Sequence, residues 1–190
     1  SYSHLTYLTA YCKAHHPIEF MTASLRLSHD KLDPNEEIQK IVRECAELGI
    51  RVKPPTLLKP CVTFTEFDKT IYFGFSNIKG IGEAKAEELV KCFDSPPQTW
   101  YEALCQSCHL SKTLIVNSIK AGVFSYLKVP CRKMLDDYTN IQLLSGKETE
   151  FLRENWMVYS DFATLFQAVK GEAQTKRKEK VQAICDFIIK

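Results

Sequence analysis

The sequence predicts a mainly α-helical fold with one small β-hairpin, and three patterns carry that expectation. Apolar residues recur at helical spacing through most of the 190 residues, in blocks closed by Pro or Gly. One short aromatic-rich stretch, 62–73, alternates instead, with Asp68-Lys69 at its centre. A Gly-Ile-Gly at 80–82 opens directly into a run of good helix formers.

Each element follows from local chemistry. Residues 2–15 read as a helix ended by His16-Pro17, because the residue before Pro avoids the helical region. Pro17 suits the first turn of the next helix, whose apolar face is Ile18, Phe20, Met21 and Leu25. Asp33 is the expected N-cap of a third helix, with Pro34 in its first turn and Glu36 where a capping box places it. Ile38, Ile41, Val42 and Cys45 make its buried stripe, and Gly49 its stop. Pro54, Pro55 and Pro60 then break any helix. Residues 62–67 and 70–73 read as two strands joined at Asp68-Lys69. From Gly74 the chain is helical again, with breaks at Ser95-Pro96-Pro97, Gly122, Pro130 and Gly146. In the tail, Phe162, Leu165, Phe166 and Val169 share one face, as do Val181, Ile184, Cys185 and Ile188. An exposed apolar stripe there would call for a partner. The division expected from these breaks is 1–58, 59–127 and 128–190.

Composition narrows the function. With 45% hydrophobic and 25% charged residues the chain is ordinary globular protein. A net charge of +2 argues against a histone-like binder, but not against a local phosphate grip. No run approaches the roughly 20 apolar residues of a membrane-spanning helix, and residues 1–4 do not begin a signal peptide. The expectation is a cytoplasmic protein with no membrane partner. The eight cysteines are therefore expected as reduced thiols, with Cys12, Cys45 and Cys185 acting as small hydrophobes. The first residue is not Met, which suggests a fragment or a processed product.

The informative stretch is Asn77-Ile78-Lys79-Gly80-Ile81-Gly82-Glu83-Ala84-Lys85-Ala86. An apolar residue, a base and Gly-apolar-Gly before a helix with small early residues make the hairpin and second helix of a helix-hairpin-helix. The glycines permit a sharp turn and let backbone approach a ligand closely. The first N–H groups of the helix have no partner within it, and with the helix dipole they suit a phosphate oxygen. Ile81 plugs the hairpin into the core; Lys79 and Lys85 add charge beside the phosphate. Glu83 sets a carboxylate nearby or serves the helix N-terminus. The candidate DNA-binding set is thus Asn77, Lys79, Gly80, Ile81, Gly82 and Lys85. Contact of this kind positions DNA without reading bases.

The flanking residues resemble the C-family replicative DNA polymerases, the family of the bacterial polymerase III alpha subunit. Thr9-Ala10-Tyr11-Cys12-Lys13-Ala14-His15-His16-Pro17-Ile18-Glu19-Phe20-Met21 is similar to a segment of that family's fingers. Glu44-Cys45, Leu48-Gly49-Ile50 and Pro54-Pro55 follow in the family's order, as does Ile71-Tyr72-Phe73-Gly74 before the hairpin. Leu110-Ser111-Lys112-Thr113-Leu114 and Gly122 resemble the helix beyond it. The match covers roughly 1–127; residues 150–190 match nothing placed. The resemblance implies a helical fingers segment followed by the helix-hairpin-helix, with Tyr2 and Lys13 on the nucleotide side. It also implies Mg2+ for the whole polymerase, held by a palm carried on other segments or another chain. This stretch would then have no catalytic residue and no metal ligand of its own. The Ser at position 1 is compatible with an intein product, and the setting is a bacterium or a phage-infected host. The alternatives are a standalone DNA-binding or polymerase accessory protein, and a replisome interaction module docking through its tail.

Other motifs read as ordinary structure. Cys105-Gln106-Ser107-Cys108-His109 has the haem-attachment spacing, but is expected as a helix end with Cys105 buried and Cys108 exposed. A zinc site would have to add the scattered Cys92 and Cys131. Asp136 and Asp137, adjacent on a helix, diverge and cannot share a metal well. The Lys-rich run 176–180 reads as a solvated face.

Overall fold

The computed structural model describes residues 2–159, 162–172 and 178–190. Among them the chain is mainly helical with one three-stranded sheet, and it divides into two compact units, 1–55 with 59–86 and 56–58 with 87–190. The break between 86 and 87 falls within the helix that follows the hairpin. No helix among the described residues is long and apolar enough to cross a membrane.

The first unit holds α1 (Tyr2–His15), α2 (Pro17–Arg26), α3 (Pro34–Glu47), β1 (Arg51–Lys53), β2 (Thr65–Phe67) and β3 (Thr70–Tyr72). The helix signals act as expected. Asp33 Oδ1 accepts the Asn35 and Glu36 N–H groups, both at 3.1 Å, and so caps α3. At its other end Gly49 N–H bonds Ala46 O and Ile50 N–H bonds Cys45 O, a Schellman closure. The core joins Met21 and Leu25 of α2 to Ile41 and Cys45 of α3, and both to Ile50, Phe64 and Ile71. Ile38 and Val42 flank that core, as the stripe predicted.

The sheet is larger than the expected hairpin. Its order is β1-β3-β2, with β2 antiparallel to β3 and β1 parallel to β3 through Val52 opposite Ile71. Asp68 and Lys69 both take positive φ, 46° and 56°, which matches the turn to the twist of the strands. Beyond β3, Gly74 lies so close to the 62–63 backbone that a Cβ would meet Val62 O at 2.3 Å. No other residue fits there.

The second unit contains the rest of α4 (Glu83–Cys92), then α5 (Trp100–Ser107), α6 (Lys112–Lys120), α7 (Cys131–Ile141), α8 (Gly146–Asn155), α9 (Phe162–Glu172) and α10 (Lys178–Ile189). Its buried polar groups are paired. Trp100 Nε1 donates to Asp137 Oδ2 at 3.0 Å, Tyr138 OH to Leu110 O at 3.0 Å, and Tyr126 OH to Pro97 O at 3.0 Å. The tail stripes pack within this unit, apart from Phe162, whose side chain lies outside those described. Val181, Ile184, Cys185 and Ile188 are buried, as are Leu165, Phe166 and Val169 of α9. Tyr101 OH fixes the end of α10 by donating to Ile188 O at 2.6 Å. Apolar periodicity marks a buried face; here the same unit supplies the cover. Lys176 and Arg177 of the basic run lie outside the described residues.

Candidate nucleic-acid interface

The hairpin is built by short-range bonds. A single 3-10 turn over Phe75–Asn77 leads in, and Ile78 N–H bonds Phe75 O at 3.1 Å. The chain reverses as Ile81 N–H bonds Ile78 O at 3.0 Å, with Gly80 at φ 84°, a region costly for residues with a Cβ. Ile81 is 3% exposed and anchors the turn. Helix α4 begins at Glu83, and Ala86 N–H is bonded back to Gly82 O at 2.9 Å. The N–H groups of the turn before Ala86 have no partner within the helix. Lys79, Gly80, Gly82, Glu83, Ala84 and Lys85 around them are exposed, while Ala86 and Leu89 are buried.

Asn77 is engaged differently from its neighbours. Its Oδ1 accepts the Gly74 N–H at 3.1 Å, and its Nδ2 meets His29 Nε2 at 2.8 Å. With Oδ1 taken, the amide donates and the ring nitrogen accepts. Asn77 therefore braces the entry to the hairpin against the 3-10 turn at Leu27–Asp30. Ile81 is likewise a plug. Of the sequence-predicted set, Lys79, Gly80, Gly82 and Lys85 form the exposed surface.

The same backbone pattern recurs in the second unit without a glycine. Leu110 N–H bonds Ser107 O at 3.0 Å, α6 starts two residues later, and Ile115 N–H bonds Ser111 O at 3.2 Å. Leu110 is 3% exposed, like Ile81. This second hairpin spans the Cys105–Cys108 pair whose spacing suggested haem or metal. Cys108 is buried, not exposed as expected: its thiol donates to Cys105 O at 3.0 Å because the turn points it inward. Burial pushes the Cys92 and Cys108 thiols up to about 12 and raises Cys105 too. All eight cysteines are free, and no group of three metal-ligating side chains occurs among the described residues. His109 is held below the usual imidazole value by partial burial and by the Arg153 charge.

The remaining candidates are placed as follows. Tyr2 is exposed on α1, a helix without a buried residue. Lys13 pairs with Glu44 of α3. Asp137 is buried against Trp100 and Lys133, and burial raises its carboxyl despite the lysine. Asp136 is half-exposed toward Arg132. The two carboxylates do not converge, so this pair does not fit a divalent metal.

Comparison with known proteins agrees with the geometry. Residues 49–134 match the helix-hairpin-helix motif family. The chain is 29% identical to the DNA polymerase III subunit alpha of Aquifex aeolicus over 147 residues, 74% of this chain and 12% of that protein. With the Thermus aquaticus subunit it shares 37% over 92 residues, 48% of this chain and 7% of that one. With the Chlamydia pneumoniae subunit it shares 34% over 128 residues, 65% and 10%. The chain thus spans only a small part of the curated relatives it matches. Taken with the turn at 78–82 and the helix that follows it, these matches show that the chain carries a helix-hairpin-helix region related to that of DNA polymerase III alpha subunits.

Proposed function

We propose that this chain is a DNA-contacting segment of a replicative DNA polymerase, gripping the phosphate backbone through the hairpin at 78–82 and the start of α4. One observation carries the reading: Ile81 is locked into the core while Lys79, Gly80, Gly82 and Lys85 stay on the surface around the first N–H groups of a helix. A phosphate oxygen there meets backbone donors, the positive end of the helix dipole and two ammonium groups. The flanking glycines present no side chain to obstruct it. Such a grip is indifferent to sequence, as an enzyme that moves along DNA requires.

The polymerase context rests on the relatives. In that context Tyr2 and Lys13 of α1 face the nucleotide side, with Lys13 exchanging Glu44 for a phosphate. Nucleotide addition by the whole enzyme proceeds with Mg2+, held by carboxylates of a palm on other segments or on another chain, in the cytoplasm of a bacterium or phage-infected cell. This segment contributes positioning, by which a bound geometry replaces a chance encounter.

The test is duplex binding by fluorescence anisotropy over a salt series. A Lys79→Glu/Lys85→Glu variant is expected to lose most of a salt-dependent, sequence-indifferent affinity. Its log–log slope should flatten by about 0.9 for each phosphate contact removed. Equal binding by parent and variant, or none by either, overturns the hairpin as an autonomous grip.

A further inference from the structure

The outward face of the sheet in the first unit has no assigned role. Cross-strand partners point to the same side, and residues along a strand alternate. Val52 and Ile71 face the core, so Arg51, Lys53, Thr65, Phe67, Thr70 and Tyr72 lie on the opposite face. Arg51 and Lys53 are exposed, Phe67 is 53% exposed, and Tyr72 is half-buried, while Thr70 on the central strand is buried beneath them. Two lysines sit on the rings: Lys59 Nζ is 3.5 Å from the Phe67 centroid, and Lys53 Nζ 5.8 Å from that of Tyr72. Glu66 pairs with Ile71 and so belongs to the other face. Asp68 and Lys69, at the turn, offset each other.

Aromatic rings interleaved with cations on one face of a sheet suit an unpaired nucleic-acid strand. Its bases stack on ring faces that the lysines do not cover, and its phosphates meet the ammonium and guanidinium groups. A duplex hides its bases and gains nothing from the rings. The rings also hold Lys59 and Lys53 in place beforehand, which reduces the ordering cost of a phosphate contact.

We propose that this sheet face, through Arg51, Lys53, Lys59, Phe67 and Tyr72, is a contact platform for single-stranded DNA, separate from the hairpin at 78–82. The assignment does not depend on the hairpin reading.

The experiment compares labelled oligo-dT with a duplex of equal length, using the full chain and a salt series. Arg51→Gln/Lys53→Gln is expected to weaken oligo-dT on the order of tenfold and to flatten the slope by about 1.4, two contacts at roughly 0.7 each. Phe67→Leu keeps apolar cover on the strand yet removes the ring; it should weaken oligo-dT several-fold with the slope unchanged, and Phe67→Tyr should restore it. Duplex affinity should hold in all three, and circular dichroism should report the parent fold. Oligo-dT binding that ignores both the charge and the ring changes overturns the platform. Parallel loss of oligo-dT and duplex overturns the single-strand assignment in favour of a general polyanion patch. A Lys79→Glu/Lys85→Glu variant, which leaves the turn glycines in place, separates the two readings, because it is expected to lose duplex and keep oligo-dT. Retained duplex binding there would sink the hairpin reading alone.

Discussion

At 78–82 the chain turns through Gly80 at positive φ and shows Lys79 and Gly82 to solvent; at 107–111 it closes the corresponding hydrogen bonds through His109, which does not take positive φ, and folds the Cys108 thiol inward. The bonds are alike: Ile81 to Ile78 and Leu110 to Ser107, each followed by a helix whose first backward bond reaches the residue after the plug. The outward surfaces differ. At the fourth position after the plug the first hairpin has exposed Lys85, and the second has fully buried Leu114. The backbone turn is thus a packing device in both places. Ligand chemistry is added by what surrounds it, so the motif alone does not make a site.

The largest expected effect tests the shared half of that comparison. Ile81→Ala and Leu110→Ala each empty a plug site and should cost about 2–5 kcal/mol, read by urea denaturation. Similar losses are expected if both turns are packing devices; a negligible loss at either one would break the equivalence.

Thiol chemistry sharpens the difference. Cys131 is exposed, whereas burial raises Cys92, Cys105 and Cys108. Cys131 should therefore react with a maleimide many times faster than those three, checked by peptide mass mapping at pH 7.5. Rapid labelling of Cys108 would mean that the second hairpin opens in solution.

The smallest effect is protonic. His109 has a folded-state value below 6.5, so the unfolded chain binds its proton more tightly. Stability from this group is complete above the unfolded value and is lost as pH falls from there through the folded value. An NMR titration should place its midpoint below 6.5, and Arg153→Gln should move it up. A midpoint above 6.5 would mean that the second hairpin carries a cation at neutral pH, and would bring it closer in character to the first.

These contrasts also show what the residues alone could reveal. Helix ends were legible because Pro17, Asp33 and Gly49 act within a turn of their own position. The hairpin at 78–82 was legible through its glycines. Its counterpart was not, since Ser107-Cys108-His109-Leu110-Ser111 forms the same bonds with no glycine and was read as a helix end with Cys108 outside. Strand β1 was missed because three residues give too short an alternation, and its parallel partner lies across the intervening loop. The tail stripes were found, but periodicity cannot tell whether the cover comes from the same unit or from another molecule. The sequence places Asn77 with the DNA contacts through its neighbours; its Gly74 and His29 bonds, which brace the hairpin, are visible only in the structure.

Gly82 has a consequence for mutational tolerance. Gly74 is held by a neighbouring backbone and Gly80 by its own torsion, so a screen for folded protein would reject replacements at both. A Cβ on Gly82 would meet nothing within 4 Å, so the same screen should let Ala pass there. A screen for replication would let it pass only if nothing needs that space. The two screens, read side by side at one codon, would register whether a ligand comes up against the backbone there.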